Sequence, residues 1–324
     1  MLLSGSEKQA NRSYGVDDDP TVPAAITDTG CERELNEDRY AVVECASGLA
    51  WVVCDGMGGS TGGELAAQLA IDAIRRDLEN LPARAPEQAV RESIQEANRV
   101  IVLRRQNPAF REMGTTIVSA FFQGPQIVIA HAGDSRAYLV RDGAIQQLTV
   151  DHTYVQELVD RGQVKAEDAL SHHQAHILTR CLGAEPALSL DVGRFWLGEA
   201  AGGERPDAIV LCTDGLYSLV SEAEVATLVS TESPQSACSR LVELAKSRGG
   251  YDNITLAVIP LVGQLRTEPP AGFDEAAMVQ RLRAAENVVE GEGLGLARSL
   301  ILLFMLSGLA VLLVVLVMAV LLAR

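Results

Sequence analysis

Residues 49–59 read Leu49-Ala50-Trp51-Val52-Val53-Cys54-Asp55-Gly56-Met57-Gly58-Gly59. The first six are apolar and rich in β-formers, which reads as a strand. The run stops at a carboxylate, and the glycines behind it read as a turn. The same arrangement recurs along the chain. Ile209-Val210-Leu211-Cys212-Thr213 runs into Asp214-Gly215, and His131-Ala132-Gly133 leads to Asp134-Ser135-Arg136. Gly249-Gly250-Tyr251 leads to Asp252-Asn253 just before the last apolar run, and Asn36-Glu37-Asp38 precedes the first. For any one of these, turn formation alone is the commoner explanation. Five together favour acids gathered at one sheet edge. Converging carboxylates repel one another unless cations lie between them. Hard divalent ions such as Mg²⁺ or Mn²⁺ choose such oxygen ligands, whereas Zn²⁺ would want His or Cys.

Outward from this stretch, short β-rich runs recur at Leu49–Cys54, Thr115–Phe122, Ile127–His131, Ala137–Arg141, Ile145–Leu148, Ala208–Cys212 and Ile254–Ile259. Asp142-Gly143 between two of them is a hairpin signal. Two helices are expected between the first strands and the later ones. Leu65, Leu69, Ala73, Ile74 and Leu78 line one face of the first, and Val90, Ile94, Ala97 and Ile101 one face of the second. Consecutive helices followed by consecutive strands point to an α+β class rather than to βαβ alternation.

The chain has 324 residues, 48% hydrophobic and 22% charged, which excludes a disordered polymer or a coiled coil. With 43 Asp+Glu against 27 Lys+Arg the net charge is −16, so nucleic acid is not an expected partner. A mean hydropathy of +0.12 is odd for so acidic a chain. The excess lies at the C-terminus, where no side chain from Leu300 to Ala323 is charged and only Ser307 is polar. At about 1.5 Å per residue these 24 residues span roughly 36 Å as a helix, enough for a hydrocarbon core of about 30 Å.

The expected organisation is a polar N-terminal extension over 1–22, one compact unit over 23–261, a linker over 262–298 and a transmembrane helix over 299–323. Met278, Leu282, Ala285 and Val289 fall at helical spacing within the linker. The N-terminus shows no apolar signal core, and Arg281, Arg283 and Arg298 precede the span. Both features place the compact unit in the cytoplasm of a single-pass membrane protein. The six cysteines are scattered without a CxxC pair and are expected to be reduced, Cys54 and Cys212 inside apolar strands.

Taken in order, the motifs resemble those of the type 2C, metal-dependent Ser/Thr protein phosphatases in their compact bacterial form. They are Thr27-Asp28-Thr29-Gly30-x-x-Arg33-x-x-Asn36-Glu37-Asp38, Asp55-Gly56-Met57-Gly58-Gly59, Gly114-Thr115-Thr116 and Gly133-Asp134-Ser135-Arg136. Leu148-Thr149-x-Asp151-His152, Leu178-Thr179-Arg180-x-Leu182-Gly183, Thr213-Asp214-Gly215-Leu216 and Asp252-Asn253 complete the set. The resemblance runs from Ile26 to Ile259. It implies a four-layer αββα sandwich of two mainly antiparallel sheets flanked by helices, with a centre of two Mn²⁺ or Mg²⁺ ions at one end.

By position, the resemblance makes Asp55 the carboxylate bridging both metals, with the Gly56 carbonyl on the second. Asp214 and Asp252 then match ligands of the first. Glu37 and Asp38 match groups holding water at the metals, with direct ligation as the alternative for both, and Asn253 stands beside Asp252. Asp134 matches the residue that with Asp214 holds a third, weaker metal, and Arg33 the phosphate-binding arginine. The implied reaction is hydrolysis of phosphoserine and phosphothreonine by direct attack of a metal-activated water, with Arg33, Asp38, Asp55 and Asp214 as its catalytic set. The implied partners are phosphoproteins, among them a Ser/Thr kinase and its substrates. A silent phosphoprotein reader would usually lack a metal carboxylate, and Asp55, Asp214 and Asp252 are all present.

Several residues depart from that pattern or carry a simpler reading. Animal members have His where Met57 stands, so no general acid is named and Met57 is read as packing. Ser171-His172-His173-Gln174-Ala175-His176 falls in the segment resembling a mobile flap. His172 and His176, four apart, would share a metal on a helix; a solvated or substrate-contacting flap is the simpler reading. His131 and His152 are read as structural, Arg136 and Arg180 as braces for loops, and Asp28 as ordering the loop before Arg33.

Overall fold

The computed structural model describes residues 19–58, 62–198 and 207–284. Its first sheet orders five strands as β1 (Ala24–Asp28), β12 (Ile254–Pro260), β11 (Ala208–Cys212), β8 (Arg136–Arg141) and β9 (Ala144–Gln147). The second orders six as β13 (Leu265–Arg266), β10 (Asp191–Leu197), β7 (Gln126–Ala132), β6 (Ile117–Gln123), β3 (Gly48–Cys54) and β2 (Arg39–Cys45). Every strand pair is antiparallel. A small ribbon pairs β4 (Gly56–Met57) with β5 (Gly114–Thr115), so the expected run Thr115–Phe122 is broken at Thr116.

Helices α1 (Gly62–Asn80) and α2 (Pro86–Arg104) cover the second sheet. Helices α4 (Asp214–Tyr217), α5 (Glu222–Thr231) and α6 (Pro234–Ser247) cover the first. Helix α3 (Tyr154–Asp160) lies in the connection between β9 and β10. This is the expected αββα arrangement of two antiparallel sheets flanked by helices. Three apolar clusters fill its three interfaces. Alternation along β3 shows how: Val52 and Cys54 face α1 and α2, while Trp51 and Val53 face the other sheet. A strand covered on both sides has no polar face, hence the unbroken apolar run.

Helix α1 buries Ala66, Ala67, Ala70, Ile71, Ala73, Ile74 and Leu78, while Leu65 and Leu69 are only partly covered. The buried stripe therefore departs from the expected one at those two leucines. Small side chains let α1 pack closely against both its sheet and α2, and the two leucines flank that contact. The Asp142-Gly143 hairpin is present, both residues having positive φ (49° and 79°), as a tight primed turn requires.

The compact unit does not stop where the linker was expected to begin. Leu265 and Arg266 pair with Leu197 and Trp196, and the Leu265 side chain joins the core between the sheets. Asp207 anchors the segment: its carboxylate accepts the Leu265 N–H at 2.8 Å and a two-pronged bond from Arg141. Leu265→Ala should destabilise the domain by about 2 kcal/mol, measurable by urea unfolding. The chain is then helical over 275–284. Met278 packs its sulfur over Gly124 in the β6–β7 turn, and Arg283 Nε donates to the Ala83 carbonyl at 2.7 Å. Of the helical spacing read there, Met278 and Leu282 fall in this helix, while Ala285 and Val289 lie outside the described residues. So do most of the extension over 1–22 and the whole span over 299–323. Among the described residues no helix is long and apolar enough to cross a membrane.

Candidate active site

Antiparallel pairing puts the end of one strand beside the start of the next. Asp28 at the end of β1 therefore adjoins the start of β12, where Asp252 precedes Ile254. Cys212, just before Asp214, pairs with Arg136, just after Asp134. In the second sheet Arg39, after Asp38, pairs with Cys54, before Asp55. All these acids thus collect at one end of the sandwich. A cleft of about 730 Å³ opens there, lined by Arg33, Glu37, Asp55, Gly56, Asp134, Asp214, Asp252 and Asn253. Asp38, only 1% exposed, lies beneath it.

Local hydrogen bonds fix each acid. The Asp55 N–H donates to Thr116 Oγ1 (3.1 Å), and the Asp55 carbonyl accepts the Thr116 N–H and the Thr115 hydroxyl, both at 2.8 Å. Thr116 Oγ1 also shares a hydrogen with Ser135 (2.7 Å). The Asp55 peptide is held from both sides while its carboxylate faces the cleft. Asp38 Oδ2 accepts the Thr213 hydroxyl at 2.9 Å. The Asp134 carbonyl accepts the Tyr217 hydroxyl at 3.0 Å.

Asn253 ties down the loop between β1 and β2. Its Oδ1 accepts the Glu37 N–H (2.8 Å), and its Nδ2 donates to the carbonyls of Thr29 (3.0 Å) and Leu35 (2.9 Å). Arg33 is carried on the same loop, its guanidinium half exposed and 2.9 Å from Asp252 Oδ2. Glu37 reaches in where two glycines leave room. A Cβ on Gly63 would stand 2.5 Å from Glu37 Oε1, and one on Gly56 would stand 2.1 Å from the Gly63 carbonyl. Glu37 Oε1 itself is buried with no hydrogen-bond partner.

The electrostatics follow from burial and crowding. Burial, then Asp38, Asp214, Asp134 and Asp252 in turn, push the Asp55 carboxyl well above the carboxylate range. Asp38 is pushed up to about 7 by burial, reinforced by Asp214 and Asp252 and opposed by hydrogen bonds from Thr255 and Thr213. Asp134 rises to about 8, through burial first and then Asp214 and Asp151. Asp252 is raised by burial and Asp214, partly offset by Arg33. Arg136 offsets Asp134 only in part, being committed to Asp151 in a bidentate pair and stacked on Tyr217.

Crowded carboxyls with one half-exposed guanidinium are a poor stable arrangement by themselves. An all-oxygen donor set with an orphaned buried carboxylate oxygen fits hard divalent cations.

Other candidates fall outside the cleft or support it. Asp28 pairs with Lys246 (2.9 Å) and accepts the Gly30 N–H (2.8 Å), ordering the loop as expected. His131 and His152 stack at 4.6 Å, and their ring nitrogens lie near Asp191 in the one His/Cys/Asp/Glu trio with closely grouped donor atoms among the described residues. That trio is already satisfied. His152 Nδ1 accepts the Gly133 N–H, His131 Nε2 bonds the Val150 carbonyl, and Arg180 pairs with Asp191 at 2.8 Å. The structural reading of both histidines and the bracing role of Arg180 stand.

The flap histidines are not on a helix. His172 accepts the Gln174 N–H, whereas His176 turns to Asp214, its Nδ1 3.5 Å from Oδ2. All six cysteines are free. Sequence reasoning assigned no role to Thr213, Thr255 or Gly63. Thr213 directly precedes Asp214, which was the available signal for it.

A sequence profile of protein phosphatase 2C matches residues 32–246. The serine/threonine phosphatase stp of Listeria welshimeri is 37% identical over 242 residues, 72% of this chain and 93% of that protein. The Streptococcus agalactiae serine/threonine phosphatase superposes with a TM-score of 0.67 at 32% identity, covering 76% of this chain and 99% of that one. The catalytic domain of the serine/threonine protein phosphatase PstP in complex with two manganese ions superposes with a TM-score of 0.62 at 32% identity, covering 73% of this chain and 96% of that one.

Proposed function

The chain belongs to the protein phosphatase 2C family, as a serine/threonine protein phosphatase of the bacterial, metal-dependent type, and from that premise we propose how its cleft works. Asp55, the Gly56 carbonyl, Asp214 and Asp252 hold two divalent cations, Mn²⁺ or Mg²⁺. Asp38 and Glu37 orient water beside them, and Asp134 with Asp214 serves a third, weaker position. When bound, the cations lower the pKa of a water and offset charge on the phosphoryl oxygens. The observation that carries this reading is the convergence of Asp38, Asp134, Asp214 and Asp252 on Asp55 at one cleft, with the unpartnered Glu37 Oε1 also buried there.

The rest is the work of the chain's own residues. Arg33, half exposed at the cleft, grips the phosphoryl group of phosphoserine or phosphothreonine with paired N–H donors. Its neighbour Asp252 keeps the guanidinium at the cleft until substrate arrives. Among the described residues lining the cleft, neither hydroxyl nor thiol is set up as a nucleophile: the Thr116 hydroxyl is engaged with Ser135, and burial pushes the Cys181 thiol up. Attack by water without a phosphoenzyme is the reading these contacts support.

Release of phosphate from a phosphothreonine peptide with Mn²⁺ tests the function. No release, or release undiminished in Asp214→Asn, would overturn it. Arg33→Ala should raise KM by about 10- to 100-fold with a smaller change in kcat, the loss of a charged hydrogen-bonding group being worth about 1.5–3 kcal/mol; steady-state kinetics on the same peptide reads this.

We further propose that residues 299–323 anchor the enzyme as a single-pass protein with the catalytic unit in the cytoplasm. Phosphoproteins near the membrane, including a Ser/Thr kinase and its targets, would then be its substrates. The uncharged run Leu300–Ala323 supports this. Protease added outside intact cells should leave residues 1–290 uncut; cleavage there would refute the orientation.

A further inference from the structure

The wall of the cleft is not acidic throughout. Leu35, Met57 and Leu178 line it together with Arg33 and the carboxylates. All three are carried on backbone that is tied in place. The Leu35 carbonyl accepts Asn253 Nδ2 at 2.9 Å, and two residues on the Glu37 N–H donates to Asn253 Oδ1 at 2.8 Å. Met57 pairs with Gly114 in the small ribbon, and Leu178 bridges to Thr153 where the flap begins and ends. Leu35 is nevertheless 45% exposed, so a fixed apolar side chain meets water in the active-site cleft. A loop free to move would turn such a side chain inward, and the two bonds to Asn253 hold this one where it is. The cleft, about 730 Å³, is also larger than a phosphoryl group needs; clefts of about 300–1,000 Å³ take whole drug-sized molecules.

We propose that Leu35 is a specificity-determining residue, which with Met57 and Leu178 receives a bulky apolar side chain directly flanking the phosphoserine or phosphothreonine. This rests on the reading of the cleft as the phosphatase site and deepens it by naming the substrate class. Consecutive residues of a peptide are about 3.8 Å apart at Cα. A substrate whose phosphoryl group is gripped by Arg33 therefore brings its neighbouring side chain to the wall two residues along the same loop. Covering Leu35 there removes apolar surface from water on both partners. Because the wall is already fixed, little ordering is lost on binding. Met57, unbranched and adaptable, fits side chains of different shape.

The test is steady-state kinetics of the intact chain with Mn²⁺ on phosphothreonine peptides identical except for Leu or Ser at the positions flanking the phosphoresidue. Wild type should prefer the Leu-flanked peptide by about tenfold in kcat/KM, mainly through a lower KM. Leu35→Ser should cut that ratio to less than about threefold, and Leu35→Met should keep it. Leu103→Ser, on an exposed position of α2 that does not line the cleft, should keep it as well. Wild type that hydrolyses both peptides equally, or prefers the Ser-flanked one, would overturn the proposal while leaving the phosphatase reading intact. A preference that survives in Leu35→Ser would overturn it too, placing the selectivity elsewhere. No release from either peptide would overturn the phosphatase reading and this proposal together.

Discussion

Asp55→Asn should lower Mn²⁺-dependent phosphate release from a phosphothreonine peptide by at least about 1,000-fold, some 4 kcal/mol of transition-state stabilisation. The substitution keeps the shape of the side chain and removes its charge. Asp55 stands amid Asp38, Asp134, Asp214 and Asp252, and its peptide is pinned by Thr115 and Thr116. The backbone should therefore keep its place. A residue of purely structural importance would lose stability on substitution. Here the opposite is expected: the metal-free variant should melt no lower than wild type, because one of several mutually repelling buried carboxyls has become neutral. It should also gain far less stability than wild type on adding Mn²⁺. Activity within about tenfold of wild type at saturating Mn²⁺ would remove Asp55 from the centre.

Without divalent cations the folded chain should lose stability as pH rises. Asp38 and Asp134 are held up at about 7 and about 8 in the fold, against about 4 in an unfolded chain. Between pH 4 and 8 the folded state therefore binds more protons than the unfolded state, so unfolding becomes easier with each step up in pH. In EDTA, Tm should fall by roughly 5–10 °C from pH 5 to pH 8, given shifts of several units and a domain of this size. Saturating Mn²⁺ should abolish or invert that trend, since cations favour the ionised carboxylates. Scanning calorimetry across pH, with and without Mn²⁺, reads both. A Tm that is flat with pH in EDTA would show that these carboxyls are not crowded.

The acids of the cleft were legible because each sits at the end or the start of a strand, beside glycine or turn residues. That pattern places carboxylates at sheet edges, and antiparallel pairing does the rest. What the pattern lacked was the third dimension. Burial of Glu37 Oε1 depends on Gly63, at the start of a helix far along the chain. The approach of His176 to Asp214 joins a flap loop to a strand end with no local signal. The strands themselves divide in the same way. The run Leu49–Cys54 was unmistakable, but its two faces were not distinguishable, because both are covered by apolar layers. β10, with partial burial along its length and a glycine within it, offered no such run. In α1 the expected stripe held at Ala73, Ile74 and Leu78, while Leu65 and Leu69 lie at its edge and alanines fill its centre.

The helix over 275–284 rests on the β6–β7 turn and the α1–α2 connection. The acidic cleft lies where β6 begins and β7 ends, at the opposite pole of the sandwich. Were the proposed anchor over 299–323 in place, the residues between it and the helix over 275–284 could span at most about 50 Å even if fully extended. The domain would then be held by its back, with its working mouth turned away from the bilayer. Phosphorylated segments that project well clear of the lipid surface would come within range, whereas sites flush with that surface would require the whole body to turn over on its leash.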